Sequence, residues 1–275
     1  MCISPFLKWA GGKRWLIKRY SDIFSSFSGR YIEPFLGGGS VFFYLAPDCA
    51  ILNDINTELI DTYIAIRDDW QKVAEILNYH AKNNSSDYYC TIRSSVPESL
   101  VERAARFIYL NRTCFNGIYR VNRKGEFNVP YGGNRKNIIF KKDDFEGISK
   151  LLKKAKLKSC DFEEVINDAS SGDLIFVDPP YTVKYCSNPF IKYNEKLFSW
   201  DDQVRLSNCL KKASERGAFI ISTNAHHKSI IELYENEFEI HFVCRKSLIS
   251  ANKKFRGDYK ELLIIGKNVV KNNNH

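Results

Sequence analysis

DLIFVDPPYT, residues 173–182, joins a continuous apolar run to a rigid polar loop. Leu174, Ile175, Phe176 and Val177 suit a short strand buried on both faces. An acid, Asp178, follows, then Pro179, Pro180 and an aromatic residue, Tyr181. The carboxyl end of a buried strand is where α/β sheets bind ligands. The two prolines stiffen the loop, so the groups beside them are positioned in advance. Asp178 and the carbonyl of Pro179 offer two hydrogen-bond acceptors, and Tyr181 offers a flat face for a planar ring. Together they suit an exocyclic amine carried on an aromatic ring. Such an amine is a poor nucleophile because its lone pair is delocalised. Two acceptors drawing on its protons favour a pyramidal nitrogen, and Asp178 stabilises the positive charge that develops there. A carboxylate of ordinary pKa, about 4, is a poor general base, so the role read for Asp178 is electrostatic.

Outward from this run, further strands are expected at Tyr31–Phe35, Ala50–Asn53, Ala218–Ser222, Ile240–Cys244 and Leu262–Ile265. A helix precedes Ala218, with Ser199 as N-cap, Val204, Leu206 and Leu210 as apolar positions and Gly217 as its end. Strands alternating with helices predict an α/β fold built on a doubly wound sheet. From Ile55 to Asp144 the rhythm changes. Leu59, Ile60, Tyr63, Ile64, Val73, Ile76 and Leu77 recur at helical spacing. A second helix is expected after Ser95, which has capping-box spacing to Glu98, with Pro97 in the first turn. A segment rich in Asn, Arg, Lys, Gly and aromatic residues follows. The domain reading is a core of residues 1–54 and 145–275 carrying an insertion, 55–144, with its own task.

YIEPFLGGGS, residues 31–40, reads as strand, turn and helix start. Gly37, Gly38 and Gly39 permit positive φ and close approach of a ligand to backbone. The stretch is not a clean dinucleotide fingerprint, and WAGGKRW at 9–15 is not a P-loop, since Arg14 follows Lys13. A turn without a ligand is an equal reading until Asp54 is considered. That acid ends the next strand 17 residues after Gly37, where nucleoside-binding folds place a ribose acceptor. A helix N-cap is the alternative for Asp54, and the two roles can coexist.

The chain has 275 residues, 44% of them apolar, with a net charge of +9 and a pI near 9.0. This balance favours an anionic partner, nucleic acid first. Eight cysteines occur without a C-x-x-C pair, which argues against a zinc ribbon and for reduced, intracellular thiols. There is no apolar run near 18 residues and no signal peptide, so no membrane span is expected.

KWAGGK, EPFLGGGS, NDIN, NRTCFNGIYRVNRKGEFNVPYG and DPPY, in this order, resemble the Dam-type (D12 class, alpha group) DNA adenine-N6 methyltransferases. The similarity runs from about Leu7 to Gly266. The block Asn111–Gly132 and the closing ISANKKFRGDYKELL are its more specific parts. The resemblance implies a Rossmann-like core that uses S-adenosylmethionine, and an inserted, mainly helical target-recognition domain. It implies cofactor roles for Trp9, for Lys13 on the methionine carboxylate, for Phe35, Gly37 and Gly39 near the sulfonium, for Asp54 on the ribose and for Ile55 on the adenine. Asp161 and Phe162 would close the adenine pocket. Asp178, Pro179, Pro180 and Tyr181 would hold the target base, with Asp178 also at the cofactor.

The partner implied is double-stranded DNA, with the target adenine flipped out of the helix at a cost of a few kcal/mol. Arg120 is the expected base reader, since a guanidinium binds guanine O6 and N7 bidentately. Phe115 would wedge into the base stack, and Asn116, Ile118, Asn122 and Pro130 match further positions that meet DNA. Lys124, Arg135, Lys136, Lys141 and Lys142 would touch phosphate or simply carry a solvated surface. Arg120 with Pro130 points to methylation within GATC; GATATC is the alternative sequence. RNA or protein methylation, a catalytically inert DNA-binding module and a nicotinamide oxidoreductase are the competing functions. The segment 182–200 is expected to be a lid, and 245–263 a loop between two final strands. His226 and His227 are adjacent with no evident third ligand, so no metal is expected. A cytoplasmic monomer is the default.

Overall fold

The computed structural model describes residues 3–25, 27–122, 124–133, 138–140, 143–183, 198–246 and 258–269. It separates into two compact units, one of residues 1–21 and 36–160, the other of 22–35 and 161–275. The segment 184–197, most of the expected lid, and 247–257, most of the expected final loop, lie outside the described residues, as do Arg135, Lys136, Lys141 and Lys142. Seven strands occur among the described residues, in a mixed α/β fold.

The second unit contains β1 (Tyr31–Glu33), α7 (Phe162–Asn167), β4 (Leu174–Val177), α8 (Trp200–Glu215), β5 (Phe219–Ala225), α9 (Lys228–Tyr234), β6 (Phe238–Lys246) and β7 (Asp258–Gly266). Its strands lie in the order β1-β4-β5-β7-β6. β1, β4 and β5 are parallel, with Tyr31 beside Leu174 and Leu174 beside Phe219. β7 runs antiparallel to β5, and β6 antiparallel to β7. All four residues of β4 are buried, as a continuous apolar run requires on a sheet covered on both faces. Ser199 caps α8 through a reciprocal box with Asp202, and Gly217, at φ 92°, follows its end. The expected strand at Tyr31–Phe35 stops at Glu33, and β5, β6 and β7 run longer than their apolar centres suggest.

The first unit contains α1 (Arg14–Arg19), α2 (Ser40–Leu45), β2 (Ala50–Asn53), α3 (Thr57–Lys82), α4 (Ser86–Ser94), α5 (Leu100–Thr113), α6 (Phe145–Leu152) and β3 (Ala155–Lys158). β2 and β3 form a parallel pair. α3 carries a break at Asp69 (φ −146°, ψ 55°) and buries Leu59, Ile60, Tyr63, Ile66, Val73 and Leu77. The expected cap at Ser95 is corrected to Ser99, whose hydroxyl accepts from the Glu102 N–H at 3.2 Å. Ser95 instead ends α4, which sequence spacing missed. Asp54 is not a helix cap, because the Asn56 side chain caps α3.

Arg112, fully buried at the end of α5, ties distant segments of this unit together. It forms a fork with Asp143 at 2.6 and 2.8 Å and donates to the carbonyls of Phe6 and Ile138. Its guanidinium lies 4.3 Å from the Phe140 ring centroid. A buried charge survives because its donors are met in this way.

Candidate active site

The Asp-Pro-Pro-Tyr loop leaves β4 as the apolar run ends. The Thr223 hydroxyl, on the neighbouring strand β5, donates to Asp178 Oδ1 at 2.8 Å. The Tyr181 hydroxyl donates to Glu261 Oε2 on β7 at 3.2 Å. Burial, and after it the negative charges of Asp178 and Glu261, push the Tyr181 hydroxyl well above the usual phenol range, so it is a neutral donor. Gln203 of α8 donates to the Pro180 carbonyl at 3.4 Å and accepts from Asn224 at 3.0 Å. Asp178 and Tyr181 remain partly exposed, whereas Thr223, Asn224, Gln203 and Glu261 are fully buried. Sequence reading found the loop and missed these four residues.

Three rings of the same unit cluster. Phe35 lies 5.5 Å from Phe162 and 5.5 Å from Phe198, and Phe162 lies 5.6 Å from Phe198. Asp161 caps α7 and pairs through both oxygens with Arg205, which also spreads over the Phe162 ring at 4.3 Å. Asp161 thus fixes the start of the helix that carries Phe162.

In the first unit the glycine turn is tied to the end of β2. Asp54 accepts from the Gly37 N–H through Oδ2 and from the Asn56 N–H through Oδ1, each at 3.0 Å. Burial raises the Asp54 pKa, opposed by these two N–H groups, which favour the ionised form. Gly37 has φ 48° and Gly39 φ 62°. The Trp9 indole packs so closely on the turn that a Cβ at Gly37 would come within 2.7 Å of it. Lys13 is nearly fully buried, with its N–H donating to Ser40 of α2 at 2.9 Å. Ile55, beside Asp54, is 72% exposed, which no packing role explains.

Trp9 also stacks on Tyr119, with centroids 5.7 Å apart. Tyr119 belongs to a small hairpin closed by the bridge Val121–Phe127. Asn122 closes its tip by accepting the N–H groups of Lys124 and Glu126. Arg120 is exposed and held by Asn128, whose side-chain oxygen accepts from Nε at 2.9 Å. Phe115, Asn116, Ile118, Lys124 and Pro130 are also exposed, and the Pro130 carbonyl accepts from the Phe115 N–H at 2.9 Å. Asn116 adopts a left-handed conformation at φ 56°. Exposed apolar and basic side chains on one braced segment suit a nucleic-acid surface.

His227 caps α9 by accepting from the Ser229 N–H, and His226 packs edge-on against Phe242. No cluster of three metal-ligating side chains occurs among the described residues. No helix among them is long and apolar enough to cross a membrane.

Residues 9–248 match the family of D12 class N6 adenine-specific DNA methyltransferases. The type II methyltransferase M1.LlaDCHI of Lactococcus lactis subsp. cremoris is 38% identical over 270 residues, covering 95% of each chain. The type II methyltransferase M.MjaIII of Methanocaldococcus jannaschii is 35% identical, covering 96% of this chain and 99% of its own. A DNA adenine methylase of Serratia marcescens is 31% identical, covering 94% and 97%. Since the family match and these relatives both run nearly the length of the chain, the protein belongs to the D12 class of N6 adenine-specific DNA methyltransferases and is an enzyme.

Proposed function

We propose that this enzyme methylates N6 of an adenine flipped out of duplex DNA, within GATC, using S-adenosylmethionine as donor. It would act as a cytoplasmic monomer, with residues 55–144 as its recognition domain and 1–54 with 145–275 as its catalytic domain. The observation that carries the reading is Asp178, a partly exposed carboxylate at the end of a buried parallel strand, oriented by Thr223 beside the anchored Tyr181. Asp178 and the Pro179 carbonyl would accept from the two N6 protons, while the Tyr181 ring stacks on the base. The carboxylate then faces the nitrogen as positive charge develops, and the surplus proton, now acidic, leaves to solvent.

The groups available fit the donor. The glycine turn is tied through the Gly37 N–H to Asp54, a partly exposed acceptor suited to two vicinal hydroxyls, and Ile55 is an exposed apolar face next to it. Lys13 would bind the carboxylate of the donor, with Trp9, Phe35, Gly37 and Gly39 around its methionine part and Asp161 and Phe162 around its adenine. When bound, S-adenosylmethionine supplies an electrophilic methyl group on sulfur and departs as the neutral thioether, so the base gains CH3 and loses one proton.

Arg120 would read guanine from the major groove, steadied by Asn128, with about 1–3 kcal/mol of discrimination. Phe115 would fill the gap left by the flipped base. Asn116, Ile118, Asn122, Lys124 and Pro130 would line the same surface. The test is labelled methyl transfer to DNA duplexes bearing GATC, GATATC or neither, and to an RNA duplex, with Asp178→Ala as control. Incorporation into the GATC duplex alone is expected. Transfer to GATATC alone, or to RNA in preference to DNA, would overturn the specificity or the substrate class respectively.

A further inference from the structure

Asp178, Thr223 and Glu261 come from three neighbouring strands. The register pairs Val177 with Ser222 across β4 and β5, so Asp178 and Thr223 follow one step further on. Across β5 and β7, Ala225 pairs with Glu261 and Thr223 with Leu263. Directly opposed residues share a sheet face, and so do residues two apart, which places Thr223 and Glu261 on the same face. The Thr223 hydroxyl donates to Asp178 Oδ1, and the Tyr181 hydroxyl donates to Glu261 Oε2. The two groups read as gripping the target base are therefore each held by a fully buried polar side chain from a neighbouring strand. Burying a carboxylate and a threonine hydroxyl in strands that also bury Ile220, Ile221, Leu262 and Leu263 costs stability unless each is bonded.

We propose that Thr223 and Glu261 are positioning residues for methyl transfer, setting the Asp178 carboxylate and the Tyr181 ring in the relative geometry that presents N6 for attack. The inference rests on the reading of Asp178 and Tyr181 as the groups that hold the base. Thr223 fixes one carboxylate oxygen, so rotation of the carboxylate about its own bond is stopped. Glu261 holds the phenol oxygen, so the long axis of the ring is fixed as well. Both residues are fully buried and act through Asp178 and Tyr181, and a misplacement of about 1 Å in such a site costs on the order of 100-fold in rate.

The experiment is steady-state methylation of a GATC duplex by the wild type and by Thr223→Val, Thr223→Ser and Tyr181→Phe, with the folded fraction of each measured by near-UV circular dichroism. Thr223→Val keeps the shape and deletes the hydroxyl. Its kcat should fall about 10- to 100-fold with KM for the duplex changed less than about threefold. Thr223→Ser restores the donor and should recover most of kcat. Tyr181→Phe keeps the stacking face and loses the anchor, and its kcat should fall about 10-fold. Three results would overturn the proposal: unchanged kcat in folded Thr223→Val, equal losses in the Val and Ser variants, or wild-type turnover by Tyr181→Phe. Failure of the wild type to methylate any duplex would instead sink the functional reading beneath it.

Discussion

Gly37→Ala tests the cradle at its tightest point. Gly37 is left-handed at φ 48°, a conformation that costs an L-residue about 1–2 kcal/mol. Its new methyl would sit 2.7 Å from both Cδ1 and Nε1 of Trp9, about 0.7 Å inside ordinary contact. The turn cannot simply retreat, because the Gly37 N–H is held by Asp54 and its carbonyl by the Tyr63 hydroxyl, each at 3.0 Å. Nor does the indole move without cost, since it stacks on Tyr119. Overpacking of this kind adds about 1–3 kcal/mol. The expected loss is therefore about 2–5 kcal/mol in urea unfolding. Repeating the substitution in a Trp9→Ala background separates the two contributions. With the indole gone, Gly37→Ala should cost only the backbone part, about 1–2 kcal/mol. Equal costs in the two backgrounds would refute the steric argument, and no cost in either would refute the left-handed turn itself.

Two further outcomes follow from the buried groups of the first unit. Arg112→Met leaves Asp143 buried without its fork and should destabilise by about 3–5 kcal/mol, whereas Arg112→Met with Asp143→Leu should recover part of that loss in the same unfolding assay. His80 is buried against Tyr88 and Tyr109, and burial lowers its pKa to about 4. A histidine depressed below its unfolded value of about 6.5 contributes its full stability above that value and loses it as pH falls toward 4. The unfolding free energy should thus drop by about 2 kcal/mol between pH 7 and pH 5 on this account. His80→Gln should remove that slope; a variant with the wild-type pH dependence would assign it to other groups.

The parts legible in the sequence are those encoded by neighbours in the chain. β4 was legible because four consecutive apolar residues leave few alternatives, and α8 because Ser199 and Asp202 make both halves of their box locally. β3 was missed because Lys156 and Lys158 interrupt its apolar pattern, as befits a strand paired on one side only. The start of α5 was misplaced because Ser95–Glu98 and Ser99–Glu102 carry the same spacing, and local signals do not choose between them. The choice is made by α4, whose C-terminus occupies Ser95. The same division runs through the candidate site. Asp178 and Tyr181 announce themselves through their prolines, within four residues of each other. Thr223 and Glu261 lie 45 and 80 residues from their partners and look, in sequence, like an ordinary threonine in a strand and an acid on a strand's polar face. Only the register of β5 against β7 turns that acid inward to a position with no exposure. A motif therefore identifies the groups that would touch the base and is silent on those that hold them still. A substitution at Thr223 that leaves the motif intact is expected to impair turnover nonetheless, because the geometry the motif needs is supplied by strands the motif does not contain.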